Sequence, residues 1–330
     1  MKIVLAVVVV LSIAACAVLG YLISQRKPMS PAALAGDLAG KDVPEDLIDQ
    51  LAKVDPRHMI GKEAARLPTG LKELRGIAVG PQNRIYAVGD QALVVLNAEG
   101  ALVRRVELPE APRCVGVDAE GAAYVGHRAR VQVVDPSGVP KEPWPPLSPS
   151  SWITSIGVSG DRVYVGDFGR KFVAIFDRAG APVGEIRPSE PGKKDAKFVI
   201  PSPFFDVALD PSGRPWVTHT GKRLLEAYGP DGTVGQSWGK SSPAIEGFSG
   251  CCNPTHIAIR KDGTFVTSEK GLVRVKIHRP TGELVGVLAA AKDFSRGLTG
   301  LDVAVDGNDR ILVADPAGRS IRVYTVPPAH

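Results

Sequence analysis

The chain repeats one pattern from residue 70 onward, about every 40–50 residues. Each unit contains a short β-branched run, a turn with Gly or Asp, a second short run that ends on a polar residue, and further runs around a second turn. A repeat of this length is one supersecondary unit that buries its hydrophobic face only against its neighbours. This periodicity restricts the fold more strongly than any other feature of the sequence.

Two of the runs align in every unit. The first strands are predicted at residues 76–79, 114–117, 155–158, 206–209, 256–259 and 302–305. The second strands are predicted at residues 85–88, 123–125, 163–165, 215–217, 265–267 and 311–313. Strands this short, at regular spacing and without a long helical pattern, indicate an all-β domain.

The sequences of these runs resemble the NHL-repeat family. Gly-Ile-Ala-Val at 76–79 and Asp-Val-Ala-Val at 302–305 are similar to its first strand, and Val-Ala-Asp at 313–315 is similar to the end of its second. The resemblance covers roughly residues 70–326 and implies a six-bladed β-propeller. It implies no single activity, because such folds host many functions.

The last repeat is incomplete, since the sequence gives six first strands but only five full blades. Its third strand, at residues 321–325, has no fourth strand after it. Residues 59–67 precede the first repeat and have no other partner, so we expect them to form the outer strand of blade six. Such a closure removes the exposed sheet edge that would otherwise promote aggregation.

The first 27 residues differ in composition from the rest. Residues 3–23 are almost entirely apolar, which is about the length that crosses a bilayer core of roughly 30 Å. We interpret residues 1–27 as a signal-anchor or transmembrane helix, or as a lipoprotein signal in which Cys16, after Ile-Ala-Ala, is lipidated. Both alternatives tether an extracytoplasmic propeller to the cell membrane. Residues 28–57 are predicted as a linker with one short helix, and residues 58–330 as the propeller.

Charge and cysteine content exclude some classes of function. The net charge is +5, and acidic and basic residues are interspersed, which predicts a solvated mixed-charge surface and no nucleic-acid partner. Three cysteines follow residue 27. They do not form a disulfide framework, although an exported location permits one disulfide.

One face of the predicted propeller carries the long loops. Strand alternation places the starts of the first strands, the ends of the second strands and the connections between blades on the same face. Four of these connections are long, at residues 141–152, 187–204, 238–254 and 289–300. We call this the long-loop face and predict that it binds the ligand, since binding residues concentrate on loops held by a rigid scaffold.

Polar side chains are predicted around the channel mouth on this face. Imidazole and carboxylate groups are common ligands of divalent metals, and four of them come from adjacent blades four to six: Asp206, His219, His256 and Asp302. The alternative is structural. In NHL-like repeats, Asp at such positions often bonds backbone N–H groups and joins the blades, and we expect this of Asp167 and Asp315.

The segment 247–254 is the most unusual part of the sequence. Its adjacent Cys251 and Cys252 can form a vicinal disulfide, bind a soft metal, pair with another thiol, or remain free in a tight turn. Together with Asn253 and the nearby Lys270, they are predicted at the rim of the long-loop face.

Two functions remain open at this stage. The chain has no nucleophile elbow, no H-E-x-x-H motif and no phosphate-binding Gly loop, which favours a module that binds a protein, a peptide or an envelope ligand. The alternative is a metal-dependent hydrolase or lyase. A resemblance to propeller lactonases and the peptide-amidating lyase implies a divalent metal at the channel mouth, with Glu269 as a base, although the Glu-Gly-Pro-Trp-like start of the lactonases is missing. A redox or copper role for the cysteine pair is a third, minor alternative.

Overall fold

The computed structural model describes residues 50–188, 195–229, 232–295 and 300–326. They form six small antiparallel sheets around a central channel, which confirms the all-β six-bladed propeller. The predicted N-terminal segment 1–27, Cys16 and most of the linker lie outside the described residues, and residues 50–52 are helical. Within these described ranges, no helix is long and apolar enough to span a membrane.

The sheets contain 23 strands among the described residues. In chain order these are β1 (Lys62–Pro68), β2 (Leu74–Val79), β3 (Ile85–Gly89), β4 (Ala92–Leu96), β5 (Leu102–Glu107), β6 (Cys114–Val117), β7 (Ala123–Gly126), β8 (Val131–Val134), β9 (Ile153–Ser159), β10 (Arg162–Asp167), β11 (Phe172–Asp177), β12 (Pro182–Ile186), β13 (Val207–Leu209), β14 (Pro215–His219), β15 (Leu224–Tyr228), β16 (Val234–Trp238), β17 (His256–Ile259), β18 (Phe265–Glu269), β19 (Arg274–His278), β20 (Leu284–Ala290), β21 (Val303–Val305), β22 (Ile311–Asp315) and β23 (Ser320–Thr325). Short 3₁₀ turns lie at Pro56–His58, Pro81–Asn83 and Ala291–Asp293.

The blades follow the repeat. Blade one is β2–β5, blade two β6–β8, blade three β9–β12, blade four β13–β16 and blade five β17–β20, while blade six combines β21–β23 with β1. The first strand of each blade lies innermost. The aromatic side chains of the later strands pack between blades: for example, the rings of Trp216 in β14 and Phe265 in β18 lie 4.6 Å apart. Burial of this apolar surface stabilises each blade against the next.

The N-terminal strand closes the ring in the predicted way. β1 pairs antiparallel with β23, with Lys62 opposite Thr325 and Pro68 opposite Ser320. The strand begins a few residues later than expected. Met59 instead forms a parallel bridge with Val287 of blade five, and the Ile60 N–H donates to the Val287 carbonyl at 2.9 Å. The N-terminal segment therefore contacts both blade five and blade six.

Blade two has no regular fourth strand. Its place is taken by a segment with prolines at 140, 143, 145 and 146, which have no N–H to donate to a ladder. The segment still covers the edge of β8 through backbone hydrogen bonds of 2.8 Å from Lys141, Trp144 and Leu147 to carbonyls of residues 133, 131 and 129. The edge is thus protected without a complete strand.

Candidate binding site at the channel mouth

The first strands of all six blades line a cavity of about 230 Å³ in the central channel. Its deep part is apolar, with Val79, Val117, Leu209 and Ile259 among the lining residues. The predicted ring of polar residues lies at the starts of these strands, on the long-loop face: Cys114, Ser155, Asp206, His256 and Asp302. The cavity therefore has an apolar interior and a polar mouth.

Asp206 and Asp302 each join two blades. Asp206 accepts hydrogen bonds from Val207 N at 2.9 Å and from Ile257 N of blade five at 2.7 Å. Asp302 accepts them from Val303 N at 2.9 Å and from Ile77 N of blade one at 2.7 Å. Both oxygens of each carboxyl group accept a backbone N–H. These side chains therefore have the predicted alternative role, which is to join neighbouring blades.

Burial changes the protonation of these two carboxyl groups. It raises the pKa of Asp206 to about 6, with the negative charge of Asp302 adding to the rise and His256 opposing it. It raises the pKa of Asp302 to about 7, against the two backbone hydrogen bonds. A low-dielectric site disfavours the charged form, so both groups titrate close to neutral pH.

His256 lies in the same ring, next to Asp206. Burial lowers its pKa, and Asp206 offsets part of this effect. Its buried Nδ1 has no hydrogen-bond partner among the described residues, and its ring meets Phe204 edge-on at 5.9 Å. His256 therefore has a buried ring nitrogen that no part of the described structure uses.

His219 lies away from this group. It is fully buried at the end of β14, where its Nδ1 donates to Glu226 at 3.0 Å and its Nε2 accepts from Val199 N at 3.0 Å. A second strand is one layer further from the axis than a first strand, and here its terminal side chain packs into the blade. Because both ring nitrogens are used, His219 holds the connection before β13 and does not join Asp206, His256 and Asp302.

The predicted metal ligands thus do not form one set. Both oxygens of each Asp accept backbone N–H groups, and His219 points elsewhere. In the part of the chain that is described, no group of three or more His, Cys, Asp or Glu side chains is arranged to hold a metal ion. The residues present do not fit a bound divalent metal at this mouth.

Glu269 is placed differently from the predicted base. It is fully buried and lies 2.8 Å from Lys276 Nζ and 3.1 Å from Arg274 Nη2. It also accepts a hydrogen bond from Ser249 N at 3.0 Å. Although burial raises its pKa, the two cations hold it below the ordinary value. A carboxylate enclosed by these partners has no access to a substrate in the channel.

The residues predicted at the rim lie together between blades four and five. The Asn253 amide group donates to the Ser249 and Lys270 carbonyls at 2.6 and 3.0 Å, and its oxygen accepts from Lys270 N at 2.9 Å. Lys270 Nζ lies 4.9 Å above the Phe204 ring, the same ring that meets His256. Cys251 is exposed and Cys252 is buried.

An arginine cluster at the opposite side of the mouth was missed in the sequence. The guanidinium groups of Arg113 and Arg128 lie 4.6 and 4.9 Å from the ring centroid of Trp152. Arg113 and Arg75 also line the cavity. Arg75 pairs with Glu73 at 2.8 Å, whereas Arg113 and Arg128 have no carboxylate partner among the described residues. These residues come from different parts of blades one to three, and no motif of the sequence indicates the cluster.

The indole that supports the arginines is itself fixed. Trp152 N donates to Asp167 Oδ1 at 3.0 Å, its carbonyl accepts from Phe168 N at 2.9 Å, and its ring meets the Phe168 ring edge-on at 5.8 Å. Asp167, which also pairs with Arg170 at 2.7 Å, bonds a backbone N–H group as predicted, but within its own blade. The same holds for Asp315, which accepts from Gly318 N at 3.0 Å and pairs with Arg322 at 2.8 Å.

Comparisons with known proteins show the fold alone. No protein-family model and no curated protein sequence matches the chain. A streptogramin B lyase structure is similar over 82% of this chain and 100% of its own, with a TM-score of 0.58 and 11% identity. Virginiamycin B lyase from Staphylococcus aureus is similar over 82% of this chain and 89% of its own, with a TM-score of 0.53 and 13% identity. A Bacteroides thetaiotaomicron protein of unknown function covers 81% of this chain, with 72% of its own length, a TM-score of 0.56 and 15% identity.

Proposed function

We propose that the protein is a binding propeller that holds an anionic group of a protein, peptide or envelope ligand at the channel mouth of its long-loop face. The observation that supports this most is the pair Arg113 and Arg128 on Trp152, which has no carboxylate partner among the described residues. The apolar segment 1–27 would tether this face outside the cytoplasm; that part of the proposal comes from the sequence alone.

The electrostatics of the cluster favour an anion. Burial lowers the pKa of Arg113, and the positive charges of Arg75 and Arg128 lower it further. Like charges this close repel each other and gain from a shared counter-charge. Guanidinium groups bind carboxylate and phosphate in a planar, bidentate manner, and Trp152 offers an apolar surface beside them.

The cavity limits what else the ligand contains. At about 230 Å³ it is smaller than the pockets of roughly 300–1,000 Å³ that enclose drug-sized molecules. We therefore assign the anionic group to the arginines at the rim and only a small apolar group to the channel interior. The remainder of the ligand lies across the long loops.

The test compares variants on the two faces. We expect Arg113→Ala combined with Arg128→Ala to weaken binding of a labelled acidic hexapeptide at least about tenfold in fluorescence anisotropy, a loss of roughly 1.4 kcal/mol. The control is Arg279→Ala, because Arg279 is exposed on the opposite face and pairs with Glu283 at 3.4 Å. Equal affinity of the double variant and the control would refute the anion site.

A second candidate is a lyase at the same mouth. Two of the similar structures are lyases, and in this chain the partly exposed His256 lines the same cavity as Asp206 and Asp302, whose pKa values are raised to about 6 and about 7. In an elimination, His256 would take the proton and Asp302, when protonated, would donate one to the leaving oxygen. No metal is assigned to these steps, since the donor set does not fit one.

Quinupristin distinguishes the two candidates, because one of the similar structures is a catalytically inactive virginiamycin B lyase with this compound. Turnover by the wild type that is lost in His256→Ala but kept in the arginine double variant would support the lyase. Quinupristin with an unchanged retention time in liquid chromatography, together with arginine-dependent peptide binding, would support the binding module, since ring opening by elimination leaves the mass the same.

A further inference from the structure

The cysteine pair sits in a loop that several side chains hold in place. The Asn253 amide bridges residues 249 and 270, as described above. Arg223 Nε donates to the Gly250 carbonyl at 2.7 Å, and Ser249 N is bound to the buried Glu269. These contacts come from blades four and five, on both sides of the loop. The loop is therefore held on both sides of the two cysteines.

The two sulfur atoms are already close. The Sγ atoms of Cys251 and Cys252 lie 3.0 Å apart, about 1 Å beyond the bonding distance of about 2.05 Å. Because consecutive Cα atoms lie about 3.8 Å apart, closer than in most disulfides, closing the bond needs a local adjustment of the backbone as well as of the two side chains. Cys114, the other thiol among the described residues, is buried in the channel ring and does not contact them.

The two thiols differ in access. Cys251 is exposed, whereas Cys252 is 1% exposed. In thiol–disulfide exchange, access decides which sulfur a small molecule can reach, and a second thiol within reach resolves the mixed disulfide. An exposed attacking thiol with a buried neighbour matches this division of roles.

We propose that Cys251 and Cys252 form a thiol–disulfide exchange site for low-molecular-weight disulfides. The Cys251 thiolate attacks one sulfur of the small disulfide, forms a mixed disulfide and releases one thiol. The Cys252 thiolate then attacks the Cys251 sulfur and releases the second thiol. The protein loses two electrons and two protons and gains a vicinal disulfide, while the small disulfide is reduced to two thiols.

The experiment uses the full chain with Cys16→Ser in every protein compared, including the one called wild type below, since Cys16 is the fourth cysteine of the sequence. Glutathione disulfide is the probe, and the reaction is quenched by acid and analysed by mass spectrometry. The pH is mildly alkaline because the neighbouring thiol and burial raise the pKa of Cys251. The wild type is expected to lose two mass units with release of two equivalents of glutathione. Cys252→Ser is expected to stop at the mixed disulfide on Cys251.

Two further variants make the test specific. Cys251→Ser is expected to react at least tenfold more slowly, because the remaining Cys252 is buried, and Cys114→Ser is expected to behave as the wild type. The proposal is overturned if the wild type keeps one bound glutathione without forming the vicinal disulfide, or if Cys251→Ser reacts as fast as the wild type. Thermal unfolding of each variant shows whether it retains the fold.

Discussion

Asp206 and Asp302 occupy the same repeat position, where each joins two blades and has a raised pKa. Each lies at the start of a first strand and accepts one N–H from its own blade and one from the next. Each is also buried enough that its pKa rises to about 6 and about 7, respectively. The contacts that join the blades therefore involve carboxyl groups that change charge near neutral pH.

The sign of the resulting pH effect follows for Asp302. Its ordinary pKa is 3.8 and its folded pKa is about 7, so between these values the folded state binds more protons than the unfolded state. Its contribution to the free energy of unfolding is fully present below pH 4 and is lost as the pH rises through 7. We expect the free energy of unfolding of the wild type to exceed that of Asp302→Asn by more at pH 4.5 than at pH 7.5. The difference between these two gaps should be on the order of 2 kcal/mol.

Urea unfolding of both proteins at the two pH values measures this difference. Histidines with lowered pKa, such as His278 at about 3, act in the opposite direction. They are common to both proteins and cancel in the comparison. A gap that does not change with pH would contradict the raised pKa of Asp302.

Residue positions on the first strands were predictable, whereas the partners of His219 and Glu269 at the ends of second strands were not. The repeat alone places Asp206, His256 and Asp302 at the mouth, as the structure has them. His219 and Glu269 occupy equivalent repeat positions, but one binds Glu226 and the other binds Lys276 and Arg274. The repeat determines the blade in which a residue lies and its position along the channel axis. The neighbouring side chains determine its hydrogen-bond and ion-pair partners.

At the scale of elements, β18 and β19 carry a buried ion cluster that holds a long loop. Glu269 pairs with Arg274 and Lys276. The remaining donors of these cations reach loop carbonyls: Arg274 Nη1 to Pro243 at 3.2 Å, and Lys276 Nζ to Gly247 at 2.6 Å. The cluster thus ties the connection that precedes the cysteine pair to the outer part of blade five.

Removal of the Glu269 carboxylate should strongly lower the free energy of unfolding. Glu269→Gln leaves two buried cations without their counter-charge, and breaking such a pair costs about 3–5 kcal/mol. The matched control is Glu283→Gln, which removes an exposed partner of Arg279 and should cost at most about 1 kcal/mol. Chemical denaturation compares the two variants, and equal losses would show that Glu269 is not central to the cluster.

The strands themselves were largely predictable, and their connections were not. Alternating β-branched runs and Gly or Asp turns located the first and second strands of every blade. Blade two was predicted to be complete, but it has three strands, because prolines at 140, 143, 145 and 146 occupy the place of its fourth strand. The arginine cluster on Trp152 depended on how the connection before β9 folds over blade two, which no local pattern indicates.

At the scale of the whole molecule, the ring depends on its N-terminal strand. β1 completes blade six, and its buried Leu67 packs in a cluster with Ile77 of blade one and Ile321 of blade six. The same segment contacts blade five through Ile60. Without β1, blade six would have three strands and an exposed edge on β23. The described residues 50–57 add no strand to a blade.

Two deletions separate these roles. A chain that begins at residue 58 keeps β1 and should have the same melting midpoint and light scattering as the full chain. A chain that begins at residue 70 loses Leu67 and the pairing of β1 with β23, so we expect its midpoint to fall by on the order of 10 °C. It should also form aggregates in light scattering, because the unpaired edge of β23 can add strands from other molecules. A monomeric residue-70 chain with the same midpoint would mean that the ring is held by the contacts of its inner strands, such as Asp302 with Ile77, and that β1 only covers an edge.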